Sequence, residues 1–113
     1  MGTAQVRVKS KVIFVSGGLK MLFERLEKSD PRLFKWISGA IAKLEKNPFC
    51  GRHVKRKLVP GEYVAKFGID NLWKLNLPGG WRMMYSVEKD EIGIVSIILE
   101  WLPHKKYERR FGY

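Results

Sequence analysis

The stretch LWKLNLPGGWRMMYSV, residues 72–87, constrains the fold more than any other segment. Two short apolar-rich runs flank a Pro-Gly-Gly turn, the signature of a β-hairpin. A three-residue turn over Pro78, Gly79 and Gly80 sets Leu77 opposite Trp81 and Leu75 opposite Met83, so apolar residues share one face. Asn76 then opposes Arg82, and Lys74 opposes Met84, on the other face. A two-residue Gly-Gly turn slips the register by one and mixes polar with apolar residues on both faces, which is costly wherever one face is buried. The first register predicts a core face and, behind it, a polar patch of Lys74, Asn76 and Arg82.

The rest of the chain supplies what such a hairpin needs to pack against. Residues 6–15, VRVKSKVIFV, alternate at first: Val6, Val8, Val12 and Phe14 lie on one side, Arg7, Lys9 and Lys11 on the other. That period of two predicts a strand with one wet face. Ser16 is positioned to cap a helix over 18–28, where Leu19, Leu22, Phe23 and Leu26 fall on one face. Asp30 and Pro31 suit the start of a second helix. Leu33, Trp36, Ile37, Ala40, Ile41 and Leu44 give it an apolar stripe ending near Asn47 and Pro48. Residues 48–61 read as a loop carrying the basic run RHVKRK (52–57). Strands are expected near 62–67, 72–77, 81–87 and 92–101. The last contains IGIVSIILEWL, apolar on both faces, which predicts a central strand covered by helices on one side. It falls far short of the ~20 residues of a membrane-spanning helix. The fold class is α+β, a helical hairpin packed on a mostly antiparallel twisted sheet, in one domain over 1–113.

Charge narrows the partners. The 22 Lys and Arg against 11 Asp and Glu leave a net +11. Such an excess draws polyanions, with nucleic acid the first candidate and an acidic protein or anionic membrane surface behind it. Cys50 is the only cysteine. It rules out an intramolecular disulfide, fits a reducing cytosol and is expected to be a packed thiol. No Cys/His set has zinc spacing, so no metal or other cofactor is expected. The N-terminus lacks an apolar signal core, and a cytoplasmic protein that does not enter membranes is expected.

The end of the chain, EWLPHKKYERRFGY, gathers His104, Lys105, Lys106, Tyr107, Arg109 and Arg110 just past the last strand. Folded back over the polar hairpin face, this basic tail would make a seat for RNA. Guanidinium groups pair with phosphate oxygens, and aromatic rings stack on bases. The plainer readings are structural. Arg82 lies flat with its head in solvent, Tyr107 and Phe111 anchor the tail, and the lysines and arginines form a solvated run.

At these residues the chain resembles the RelE/ParE toxin superfamily, above all its RelE-like mRNA interferases of bacteria and archaea. The resemblance covers nearly the whole chain: the order β-α-α-β-β-β, the strand pair LWKLNLPGGWRMMYSV and the basic His-Lys-Tyr end. Its most specific part is the arginine that follows Gly and an aromatic and leads into an apolar strand ending in Tyr. It implies the toxin of a type II toxin–antitoxin system, a metal-independent endoribonuclease that cuts mRNA in the ribosomal A site and inhibits translation. It also implies a cognate antitoxin, acidic where it touches the toxin, in a toxin–antitoxin heterotetramer. In that chemistry an RNA 2′-OH attacks the adjacent phosphorus, the 5′-oxygen leaves, and fixed cations stabilise the phosphorane.

Position by position, the resemblance implies that Arg82 stabilises the phosphorane and Lys74 holds phosphate. Lys105 lies where the family often has an arginine. Tyr107 matches a tyrosine that supports the base chemistry or stacks on a nucleotide. His104 serves as acid or base, since an imidazole ordinarily titrates near working pH, at ~6.5. Glu100 is a weaker base candidate, and Tyr113 matches the terminal tyrosine of some relatives. Lys66, Arg52, Lys55, Arg56, Lys57, Lys106, Arg109 and Arg110 are the expected RNA-gripping cations. Asn76 stands where the family has a second strand cation, and Tyr107 follows His104 more closely than in many relatives. Those departures keep a second expectation open: a ParE-like gyrase inhibitor, or a decayed module that only binds RNA or an antitoxin.

Overall fold

The computed structural model describes residues 9–112. The hairpin register is the one the apolar pattern requires. β3 (Trp73–Asn76) and β4 (Arg82–Lys89) pair Lys74 with Met84, Leu75 with Met83 and Asn76 with Arg82. The Leu77 N–H donates to the Trp81 carbonyl at 2.8 Å, closing the turn. Gly79 and Gly80 both take positive φ there, 69° and 80°, which other residues resist.

Around this hairpin the sheet runs in the order β1-β5-β4-β3-β2, with β1 (Ser10–Phe14), β2 (Arg52–His53) and β5 (Ile94–Leu102) completing it. β1 pairs parallel with β5 and the remaining neighbours are antiparallel. In β1, Val12 and Phe14 pack on the core while Lys11 is exposed, as the alternation predicts. Val6, Arg7 and Val8 of the expected strand, and Tyr113, lie outside the described residues.

The two expected helices are α1 (Gly17–Ser29) and α2 (Pro31–Lys46). The Ser16 hydroxyl accepts from the Leu19 N–H at 3.1 Å, and the Asp30 carboxylate from the Leu33 N–H at 3.2 Å, satisfying donors that a helix start leaves open. Their apolar stripes bury Leu26, Leu33, Ile37, Ala40 and Leu44 against Leu75, Leu77, Met83, Tyr85 and Ile98. Trp73 and Trp81 edge this core.

Residues 62–67 correct the sequence reading. The expected strand is a helix, α3 (Gly61–Phe67), closed by Gly68 at φ 63°. The basic tail is also helical, α4 (His104–Phe111), entered through Pro103 and ended by Gly112 at φ 75°. Both pack on the face of the sheet that α1 and α2 leave open. Tyr63, Leu72, Met84, Leu99, Leu102 and Tyr107 form a second core there. β5 is an interior strand, between β1 and β4, rather than the central one, and helices cover it on both sides rather than one. The loop after α2 holds β2 and a 3₁₀ turn at Arg56–Leu58. Cys50, in that loop, is exposed rather than packed, and partial burial pushes its thiol up. No helix among the described residues is long and apolar enough to cross a membrane.

Candidate functional site

The polar residues of the hairpin sit under α4. Strand alternation sends Lys74, Asn76, Arg82 and Met84 to the face away from the first core. Cross-strand pairing adds Arg52 beside Lys74, and Glu100 and Leu102 beside Met84 and Arg82. α4 lays its apolar side, Tyr107 and Phe111, over this surface.

Tyr107 is the point of convergence. The Lys74 ammonium lies 5.0 Å from its ring centroid and donates to its hydroxyl at 3.1 Å. The Arg82 guanidinium carbon lies 5.2 Å from the same centroid. An electron-rich ring attracts cations placed over its face. Arg82 is further fixed by its own turn: Nη1 donates to the Gly80 carbonyl at 2.7 Å and to the Trp81 carbonyl at 3.3 Å. Its Nε is buried with no protein partner. The guanidinium is therefore held in one orientation by the backbone that bends the hairpin.

His104 joins the same end of the sheet. It opens α4 against the β3–β4 turn, so close that a Cβ added to Gly80 would lie 3.1 Å from the His104 Cβ. Its Nε2 faces the Glu108 carboxylate at 3.3 Å, one helical turn along. Lys105 is exposed on the same first turn. Arg82, Lys74, Tyr107 and His104 are thus brought together from two strands and a helix, with Arg52 in register beside Lys74.

Other expected RNA contacts are spread more widely. Lys106 and Lys66 line a separate cleft on the far flank of α4. Lys55, Arg56 and Lys57 are exposed around the 3₁₀ turn after β2, and Arg109 is exposed on α4. Arg110 is engaged within the protein: it meets the Glu100 carboxylate at 2.6 Å and the Glu62 carboxylate at 3.2 Å. That pairing also occupies Glu100. Burial and the neighbouring Glu100 push the Tyr63 hydroxyl up, so it stays protonated and neutral.

A second buried tyrosine steadies the loop that carries Arg52. The Tyr85 hydroxyl donates to the Pro48 carbonyl at 2.8 Å and accepts from the Gly51 N–H at 3.1 Å. Burial pushes its pKa up, which keeps the donor in place. Sequence reasoning missed the Glu100–Arg110–Glu62 bridge and α3. The signal for α3 was present: Tyr63 and Phe67 stand four residues apart between Pro60 and Gly68, with Val59 four residues before Tyr63.

The cluster can receive an anion on two cations of fixed direction, with a phenol and an imidazole within the same end of the sheet. No group of three or more His, Cys, Asp or Glu side chains stands together among the described residues. Comparison with protein-family models, with curated proteins and with solved structures finds no match to this chain.

Proposed function

We propose that this protein is an endoribonuclease of the RelE type, cutting mRNA in the ribosomal A site, the toxin of a toxin–antitoxin pair. One observation carries the reading: Lys74 and Arg82, from adjacent strands, both point at the ring of Tyr107. Two fixed cations beside a phenol suit a reaction that builds negative charge on phosphorus. In this reading the scissile phosphate docks on Arg82 and Lys74 beside the phenol ring. The 2′-OH of the preceding ribose gives its proton to the His104 imidazole and its oxygen bonds to phosphorus. The P–O5′ bond breaks, and the 5′-oxygen leaves with a proton returned by the His104 imidazolium or taken from solvent. The products are a 2′,3′-cyclic phosphate and a 5′-OH, and the cations supply the field.

Arg52, Lys55, Arg56 and Lys57 extend the positive surface and would hold ribosomal or messenger RNA. An acidic antitoxin would neutralise the same surface.

A second reading is a binding module that has lost, or never had, the nuclease set. It is favoured by Asn76, a neutral residue in register with Arg82, and by the engagement of Lys74 with Tyr107. Primer-extension mapping of mRNA in a translation extract separates the two. Codon-phased cuts that fall on the order of a hundredfold in Arg82→Ala support the nuclease. Intact mRNA with the wild-type chain overturns it, and inhibition of DNA gyrase in the same preparation identifies the ParE-like alternative.

A further inference from the structure

We propose that the cleft walled by α1, α3 and α4 is a binding site for a nucleoside phosphate. Unequal strand lengths open it. β1 ends at Phe14, opposite Ile98, and the Val15 N–H still donates to the Ile98 carbonyl at 2.9 Å. The chain then turns away at Ser16 into α1, while β5 runs on to Leu102. Residues 99–102 thus have β4 on one side and, among the described residues, no paired strand on the other. The space left there is about 600 Å³, a size that suits a small-molecule ligand.

Two kinds of surface meet in the cleft. One is apolar and rich in flat rings: Trp81, Trp101 and Phe67 line it, with Leu19 and Leu22 of α1. All three rings are only half-buried, and Leu22 is exposed. The other surface is cationic. Lys66 and Lys106 border the cleft, and neither pairs with a carboxylate among the described residues. The Lys66 ammonium lies 5.3 Å from the Phe67 ring centroid, which sets the charge beside the aromatic wall. Glu100 is the one carboxylate among the described residues that line the cleft, and Arg110 already meets it at 2.6 Å. Two positive charges are left without a counter-charge.

An uncharged apolar ligand would leave both lysines unused, and a bare anion would leave the indoles wet. The ligand that uses both surfaces joins a flat ring to a compact, doubly charged anion. A nucleobase stacks on aromatic side chains whatever its identity, because every base has a π-face. A phosphate accepts from lysine ammonium groups as point charges. A nucleoside phosphate supplies the two together, either as a free mononucleotide or as one nucleotide of a strand. The cleft lies on the other flank of α4 from Lys74, Arg82 and Tyr107 and includes none of them, so this inference does not depend on the nuclease reading.

The test is a titration of the ¹⁵N-labelled full chain with adenosine monophosphate up to millimolar concentration. It is followed at the indole N–H signals of Trp81 and Trp101 and at the amides of Lys66 and Phe67. Saturable shifts are expected at these signals, with adenosine and inorganic phosphate each at least tenfold weaker. Lys66→Ala combined with Lys106→Ala changes two exposed side chains. It is expected to weaken the monophosphate at least tenfold and to leave adenosine unchanged. Gly18→Glu sets a carboxylate at the mouth of the cleft, in the first turn of α1, where a helix favours acidic residues and the fold is kept. The same loss is expected. Absence of saturable shifts in the wild type overturns the proposal. So does equal binding of the monophosphate by comparison with adenosine or inorganic phosphate, or unchanged affinity in the double-lysine variant. A deoxyadenylate hexamer, which lacks the attacking 2′-OH, separates the two sources. Binding at least tenfold tighter at the same indoles assigns the cleft to a strand. Binding no tighter than the monophosphate assigns it to a free mononucleotide, and either result upholds the site.

Discussion

At the scale of single residues, Tyr107 has two roles that substitution can separate. Its ring closes the second core and its hydroxyl receives Lys74. Tyr107→Phe keeps the ring and removes the acceptor of the Lys74 hydrogen bond, a loss of about 1 kcal/mol in denaturant unfolding. If the hydroxyl also takes part in cleavage, single-turnover rates in the same variant fall tenfold or more, far beyond the stability effect. Gly51 is constrained by space. A Cβ there would lie 2.5 Å from the Lys74 carbonyl oxygen and 2.7 Å from the Tyr85 hydroxyl. Gly51→Ala is expected to cost about 1–3 kcal/mol through overpacking, read as a lower denaturation midpoint. Gly39 is the opposite case, a helix glycine with open space around it. Gly39→Ala is expected to stabilise the chain by about 0.5–1 kcal/mol, and a lowered midpoint would contradict the geometry.

At the scale of elements, α4 is held by contacts of mixed kind: the packing of Tyr107 and Phe111, the Lys74 and Arg82 cations at the Tyr107 ring, and the ion pairs of Arg110. Arg110 is partly buried, and Arg110→Ala leaves the Glu100 carboxylate without its counter-charge. A loss of about 1–2 kcal/mol is expected. Amide exchange should localise it, with α4 exchanging faster while β4 and β5 keep their protection. Elements differed in how far the sequence revealed them. The hairpin was legible because Leu75, Leu77, Trp81 and Met83 fit only one register against the Pro-Gly-Gly turn. α1 and α2 were legible because Ser16, Asp30 and Pro31 mark their starts and their stripes are long. α3 was misread because seven residues with Tyr, Val and Phe fit a strand as well as two helical turns. What settles it is burial: Tyr63 is fully enclosed against Leu72 and Met84, and the sequence does not announce that long-range packing. The convergence of Lys74 and Arg82 on Tyr107 was legible in kind, since alternation put the cations on one face. That α4 would lay the phenol directly over them, and that Arg110 would be spent on Glu100 and Glu62, depends on a helix the tail was not expected to form.

At the scale of the whole molecule, the net +11 sets the response to salt. Binding of single-stranded RNA should weaken with a log–log slope of about −0.7 per phosphate neutralised. With five contacts, affinity falls on the order of a hundredfold between 50 and 200 mM salt by the same relation. Fluorescence anisotropy measures this, and a flat profile would remove RNA from the list of partners. The sheet order has another effect, on the timing of assembly. β5, which joins β1 to the rest of the sheet, is made long after β1. Ser10 waits for Ser96, 86 positions downstream, before their hydroxyls can meet. A nascent chain still threaded through the exit tunnel lacks the keystone that joins its two halves. The Lys74–Arg82–Tyr107 cluster, too, can close only after the ribosome has passed Tyr107 and α4 is free to fold back onto the sheet.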